Sequence, residues 1–154
     1  MTGAKDIVTA FMLALERKDF NGAASLLSDD FYFIGSTPKP LNKDQFIQFF
    51  QELSAGIPNL SFHVHDIHYL EENEESNRVV ATIQITGHQE NEINLYMLSL
   101  PIIPELGKTV SLPEEHWEYV AGSNTIAVIN VEHVPEGGIA ELLHQLGVDA
   151  WVIQ

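Results

Sequence analysis

The spacing of apolar residues changes once along this chain, at Pro58, and that change limits it to folds in which helices come first and strands follow. Before it, Val8, Phe11, Met12 and Leu15 recur at the i, i+3, i+4, i+7 interval of one helical face, which Glu16, Arg17 and Lys18 bring to an end. A short second helix after Asp19 is predicted to bury Phe20, Ala23, Ala24 and Leu27, and Phe31–Ile34 reads as a short strand closed by Gly35. The clearest helix start is at Asn42. Its side chain suits an N-cap, Gln45 occupies the third helical position, and Leu41 can staple onto Phe46. Phe46, Phe49, Phe50 and Leu53 line one face before Gly56 and Pro58 stop the helix.

Beyond Pro58 the period becomes that of extended chain. Residues 60–70 alternate Leu60, Phe62 and Val64 with Ser61, His63 and His65, and residues 78–89 alternate Val79, Ala81, Ile83 and Ile85 with Val80, Thr82, Gln84 and Thr86. Together they predict a long antiparallel hairpin about the acidic turn 71–77. A second extended pair, 109–121 and 124–134, is joined at Gly122-Ser123. The last helix presents Ile139, Leu142, Leu143 and Leu146, with Gly147 as its closing glycine. Runs of helices and then strands, rather than alternation, predict an α+β fold, a curved antiparallel sheet wrapped around the N-terminal helices, in one domain spanning residues 1–154. The apolar stretch 91–108 interrupts this order. Pro101 and Pro104 disfavour a continuous helix or central strand there, so the stretch is a lid over a pocket, a subunit interface or packing at the end of the sheet.

The charge balance excludes several partners. The chain carries 22 acidic and 7 basic residues, and residues 71–154 alone hold 14 acids against 2 bases. Phosphate backbones and anionic membrane surfaces are bound by clustered Lys and Arg, so neither nucleic acid nor membrane is expected as a partner. There is no cysteine, which rules out disulfides and thiolate metal sites. The N-terminal apolar stretch is broken by charges within two turns, and no run approaches the ~20 apolar residues of a membrane span, which points to a cytoplasmic protein.

The order of elements, with Lys18-Asp19-Phe20, Leu26-Leu27-Ser28-Asp29-Asp30-Phe31, Ile85-Thr86-Gly87-His88, Gly107-Lys108-Thr109-Val110 and Leu142-Leu143-His144-Gln145-Leu146-Gly147, resembles the nuclear transport factor 2-like superfamily, in its SnoaL-like (polyketide-cyclase-like) branch. The resemblance covers essentially the whole chain. It implies a cone in which the sheet wraps the helices around an apolar pocket, and a homodimer joined through the sheet's outer surface. It also implies that any chemistry is cofactor-free acid–base catalysis of the cyclase, isomerase or dehydratase kind. Cyclase-like members carry an acidic residue near the end of the last strand. Here that neighbourhood is Val131-Glu132-His133-Val134-Pro135-Glu136, with no aspartate, leaving Glu132 or His133 as substitutes.

Histidine is the side chain whose ordinary pKa suits proton transfer at neutral pH. His88 ends a strand where the resemblance implies a pocket mouth; the alternative is a surface histidine. His116 and Glu118, two apart on a strand, share one sheet face with Glu114, and Trp117 and Tyr119 take the other. A His–carboxylate pair there can tune a base, or can be a wetted outer face. His133 shares the parity of Ile129 and Val131, which allows an inward orientation, with a partly buried histidine bonded to backbone at the strand end as the alternative. Tyr32, Tyr96 and Trp117 are candidate ligand-binding groups, with plain core packing as the alternative. His63 and His65 lie on one strand face, but His68 falls on the other and no third ligand follows, so no metal is expected.

These readings converge on a small-ligand-binding domain for an apolar molecule, possessing or lacking acid–base activity on a carbonyl substrate. A non-catalytic carrier and a dimeric protein-association module are the alternatives. The enzyme reading requires two titratable groups within reach of one ligand atom; the carrier requires apolar walls with one or two orienting polar groups.

Overall fold

In the computed structural model, which describes residues 3–37, 39–70, 77–122 and 124–148, the helical period of the first third becomes three helices laid on a sheet. α1 (Ala4–Glu16) buries Ile7, Val8, Phe11, Met12 and Leu15. α2 (Phe20–Ser25) is capped by Asp19, whose carboxylate accepts from the Gly22 N–H at 3.0 Å. Leu27 does not close this helix, as its spacing predicts, but opens the first strand, β1 (Leu27–Ile34). The short β2 (Leu41–Asn42) leads into α3 (Lys43–Gly56), whose capping box forms as expected: Asn42 Oδ1 accepts from the Gln45 N–H and Gln45 Oε1 from the Asn42 N–H, both at 2.9 Å. Such a cap satisfies two of the four unpaired N–H groups of a helix start, and losing it costs about 1 kcal/mol.

The strands that follow are β3 (His65–Tyr69), β4 (Arg78–Ile83), β5 (Thr86–His88), β6 (Thr109–Ser111), β7 (Glu115–Ala121) and β8 (Ile126–Val131), and the described chain ends in α4 (Gly138–Gln145). The turn 71–76, and Ser123 in the second turn, lie outside the described residues. Among the described residues, six strands form one curved sheet in the order β2-β1-β8-β7-β4-β3. Every neighbouring pair is antiparallel except β1 and β8, which run parallel with Phe33 opposite Ile129. The parallel contact arises because β1 enters the sheet from the helical layer and not from a hairpin.

Two expected long strands are each broken. The run 78–89 becomes β4 and β5, and the run 109–121 becomes β6 and β7. The break in the second falls at Pro113, which has no N–H for a ladder. The first breaks opposite it, where the Leu112 N–H donates to the Ile85 carbonyl at 2.9 Å and the Gln84 N–H turns away to the Phe62 carbonyl at 2.8 Å. The outer pieces, β5 and β6, pair with each other as a separate two-stranded ribbon in which His88 faces Thr109.

Where the resemblance implies an apolar hollow between helices and sheet, rings fill the space. Phe33, Phe50 and Phe62 surround Trp117 with centroids 5.4, 6.3 and 6.3 Å from it, and Phe46 lies 5.0 Å from Phe33 and 4.9 Å from Phe50. All five are buried. Edge-to-face contacts at these separations add to the burial of 150–250 Å² per ring, so this cluster dominates the core's stability.

Candidate functional site

The stretch 91–108 is both core packing and a wall. Ile93 and Ile103 pair as an isolated bridge, Leu95, Leu98, Leu100 and Ile103 are buried, and Tyr96–Leu98 forms a single 3₁₀ turn closed by Ser99 at φ 57°. Its base is held by one buried side chain. The Gln89 amide donates to the carbonyls of Asn91 (3.2 Å) and Pro104 (2.9 Å) and accepts from the Leu106 N–H (3.4 Å). A carboxamide bonded to three backbone groups replaces the ladder that Pro101 and Pro104 prevent.

This wall, the start of α3 and the end of α4 enclose an apolar cleft of about 660 Å³. From the 91–108 side come Leu98, Leu100, Ile102, Ile103 and Leu106; from the other sides come Leu41, Leu146 and Val148. Lys39, Gln45 and Ser99 add polar atoms, and Lys39 is the one titratable side chain lining it among the described residues. The Gly147 expected to close α4 does so at φ 93° and turns the chain so that Leu146 and Val148 reach the cleft. This volume lies within the range of small-molecule sites, roughly 300–1,000 Å³.

The sequence-predicted site residues lie elsewhere. His88 is exposed on β5, its Nδ1 3.0 Å from Thr109 Oγ1. His133 lies past the end of β8 and is exposed, not turned inward as its parity allows, because the strand stops at Val131. Glu132 is exposed too and meets His116 Nδ1 at 2.6 Å. Glu118 pairs with Arg78 at 2.9 Å and not with His116. Tyr32 and Tyr96 are both about half exposed, while Trp117 is buried within the ring cluster. None of these eight residues lines the cleft.

His116 and Glu118 do share the sheet's outer face, as their spacing predicts. His65, Thr82 and His116 stand in register across β3, β4 and β7, flanked by the His65–Glu114 contact of 2.9 Å and the His116–Glu132 contact. The His63 carbonyl, accepting from His65 Nδ1 at 2.8 Å, raises the pKa of His65, and Glu114 adds to it. This face is wetted and paired, with each acid answered by a base. Among the described residues no group of three or more metal-ligating side chains comes together.

Sequence reasoning passes over Glu115. It precedes Trp117 by two, so strand alternation turns it inward with Trp117 and Tyr119, and parity alone was sufficient to find it. Its carboxyl is buried beside Gly137, with the Gly138 N–H donating to it; a Cβ on Gly137 would stand 3.4 Å from Glu115 Oε1. Burial pushes its pKa up to about 7. On the same face, Trp117 Nε1 and the Tyr119 hydroxyl are buried without a hydrogen-bond partner among the described residues, and burial holds the phenol well above its ordinary pKa.

The family model of the SnoaL-like domain matches residues 8–141. No curated protein matches the chain in sequence. Among solved structures it is similar to AclR of Streptomyces galilaeus, a proposed hydroxylase (18% identity, 94% of this chain and 95% of that one, TM-score 0.68). It is also similar to a proposed polyketide cyclase of Xanthomonas campestris (18%, 93% and 96%, TM-score 0.65). An epoxide hydrolase of Mycobacterium tuberculosis, described as LEH-like, is a further neighbour (13%, 94% and 87%, TM-score 0.64). At these identities the likeness is one of fold. It accords with helices first and a curved sheet after them. No helix among the described residues is long and apolar enough to cross a membrane.

Proposed function

The chain belongs to the SnoaL-like domain family, and from that premise we propose that it binds a small apolar molecule in the cleft between the 91–108 wall, α3 and α4. The observation that carries the reading is the lining: apolar walls around about 660 Å³ with, among the described residues, three polar side chains and no histidine or carboxylate. Walls of that kind orient a ligand and bury it, which is what a carrier or binding protein needs. Two titratable groups within reach of one ligand atom, the requirement for acid–base chemistry, are not offered by the described residues of this lining.

A stabilisation screen against hydrophobic carbonyl compounds tests it. Compounds that raise the melting temperature of the native chain are expected to lose their effect in Leu106→Glu and Ile102→Asp, both at exposed wall positions whose replacement leaves the core untouched. Hits that stabilise these variants as well as the native chain count against the cleft. Pairing of two copies through the outer sheet face is retained as an expectation from the family resemblance, to be read by sedimentation of the purified chain.

A second reading has one observation in its favour. Burial pushes the Glu115 carboxyl up to about 7, the range of a general acid/base, and Trp117 and Tyr119, whose polar atoms have no partner among the described residues, lie on the same interior strand face. Turnover of an enolisable ketone that is lost in Glu115→Gln, with ligand binding retained, would support the enzyme reading over the carrier.

A further inference from the structure

The ligand of this cleft is an amphiphile with an anionic head, specifically an apolar molecule ending in a carboxylate; we infer this class from the distribution of charge around the lining, and it rests on the cleft reading proposed above. The chain as a whole repels anions, with a formal net charge of −15. Among the described residues the lining reverses that sign: its one charged side chain is Lys39, and no carboxylate of those residues contributes to it.

The side-chain N–H donors are gathered on one side. Lys39 has no ion pair and its amine no hydrogen-bond partner among the described residues, whereas the neighbouring cation Lys43 is already engaged with Asp29 at 3.6 Å and with the Leu27 carbonyl at 3.2 Å. Gln45 uses Oε1 to accept from the Asn42 N–H, which fixes the carboxamide and leaves its N–H2 without a partner among the described residues. Both side chains belong to the segment entering α3, and both line the cleft. Lys39 and Gln45 therefore present N–H donors, with their one side-chain acceptor, Gln45 Oε1, engaged by the Asn42 N–H; Ser99 on the 91–108 wall adds a hydroxyl. Such a pair suits a carboxylate, which accepts only, better than an alcohol or an amine. The rest of the wall, Leu98, Leu100, Ile102, Ile103 and Leu106, is aliphatic and accommodates a hydrocarbon body.

The test measures binding of three ten-carbon probes, each below its micelle concentration, to the full chain by calorimetry: decanoate, decanol and decyltrimethylammonium. Decanoate is expected to bind at least about fivefold more tightly than decanol, a charge-assisted hydrogen bond's worth, with the cation weakest. K39M is expected to remove that advantage, weakening decanoate about fivefold and leaving decanol within twofold; L106E should weaken both. Decanol binding as tightly as decanoate, or K39M leaving decanoate unchanged, overturns the anionic head and leaves the cleft reading standing. Absence of binding by all three probes, or binding that L106E leaves intact, overturns the cleft reading and this inference with it.

Discussion

The side-chain amide of Gln145 meets the backbone of Ser111 twice, its Oε1 accepting from the Ser111 N–H at 2.7 Å and its Nε2 donating to the Ser111 carbonyl at 3.1 Å. One residue at the end of α4 thus completes the free edge of β6 and sets where Leu146 and Val148 stand in the cleft wall. Gln145→Leu is expected to lose about 1–2 kcal/mol, a fall in melting temperature of roughly 2–8 °C for a chain of this size, and to weaken any ligand held by the cleft. Thermal unfolding with and without ligand reads both effects; a variant that loses stability but binds as before would uncouple α4 from the site.

Glu115 gives the protein a stability that depends on pH. Its pKa of about 7 in the folded chain lies above the ordinary carboxyl value of 4.5. Between those values the folded state holds a proton that the unfolded chain has released. Stability contributed by this group is therefore full below 4.5, falls as the pH rises toward 7 by at most about 1.4 kcal/mol per unit, and is lost above it. Glu115→Gln retains an acceptor for the Gly138 N–H and is expected to flatten that decline. Urea unfolding of both proteins from pH 4.5 to 8 measures it.

Tyr119 carries a buried hydroxyl with no partner among the described residues. Removing an unpaired polar atom also removes its desolvation cost, so Tyr119→Phe is expected to stabilise the chain by about 1 kcal/mol. A loss of stability instead would mean that the hydroxyl is bonded in solution.

Phe50 touches four other phenylalanine rings and Trp117 in the filled interior. Phe50→Ala is expected to cost about 3–5 kcal/mol by lost burial and the cavity it leaves. Equilibrium denaturation checks the magnitude.

Replacing His88 and His133 together by alanine is expected to change stability by less than about 1 kcal/mol and leave cleft binding unchanged, since both are exposed and neither lines it. Loss of binding in the double variant would place the ligand elsewhere. His116→Ala tests the outer face in the same way: its contact with Glu132 is between two exposed side chains, and such pairs contribute ~0–1 kcal/mol.

The helices were legible because their signals are local. The α3 cap needs only Asn42 and Gln45, and the buried face of α1 follows from four apolar residues at helical spacing. The broken strands were not, since the bend of 78–89 is imposed by Leu112 bonding to Ile85 from another strand. Pro113 marked one break in plain view, but its effect on the opposite strand is a tertiary one. The site divides the same way. Alternation put Trp117 and His116 on opposite faces, as they are, and the same count puts Glu115 on the face of Trp117. The cleft itself joins residues 39–45, 97–106 and 146–148, and only the folded chain brings those three stretches together.

The aromatic filling of the interior has a consequence for how such a protein can change over generations. Stability resides in Phe33, Phe46, Phe50, Phe62 and Trp117, while the cleft is walled largely by a loop and two helix ends whose exposed members, such as Ile102 and Leu106, contribute little to the core. Substitutions at those wall positions alter what is recognised without loosening what holds the chain together. A lineage built this way is free to exchange one small molecule for another by altering its rim, with the scaffold beneath left as it was.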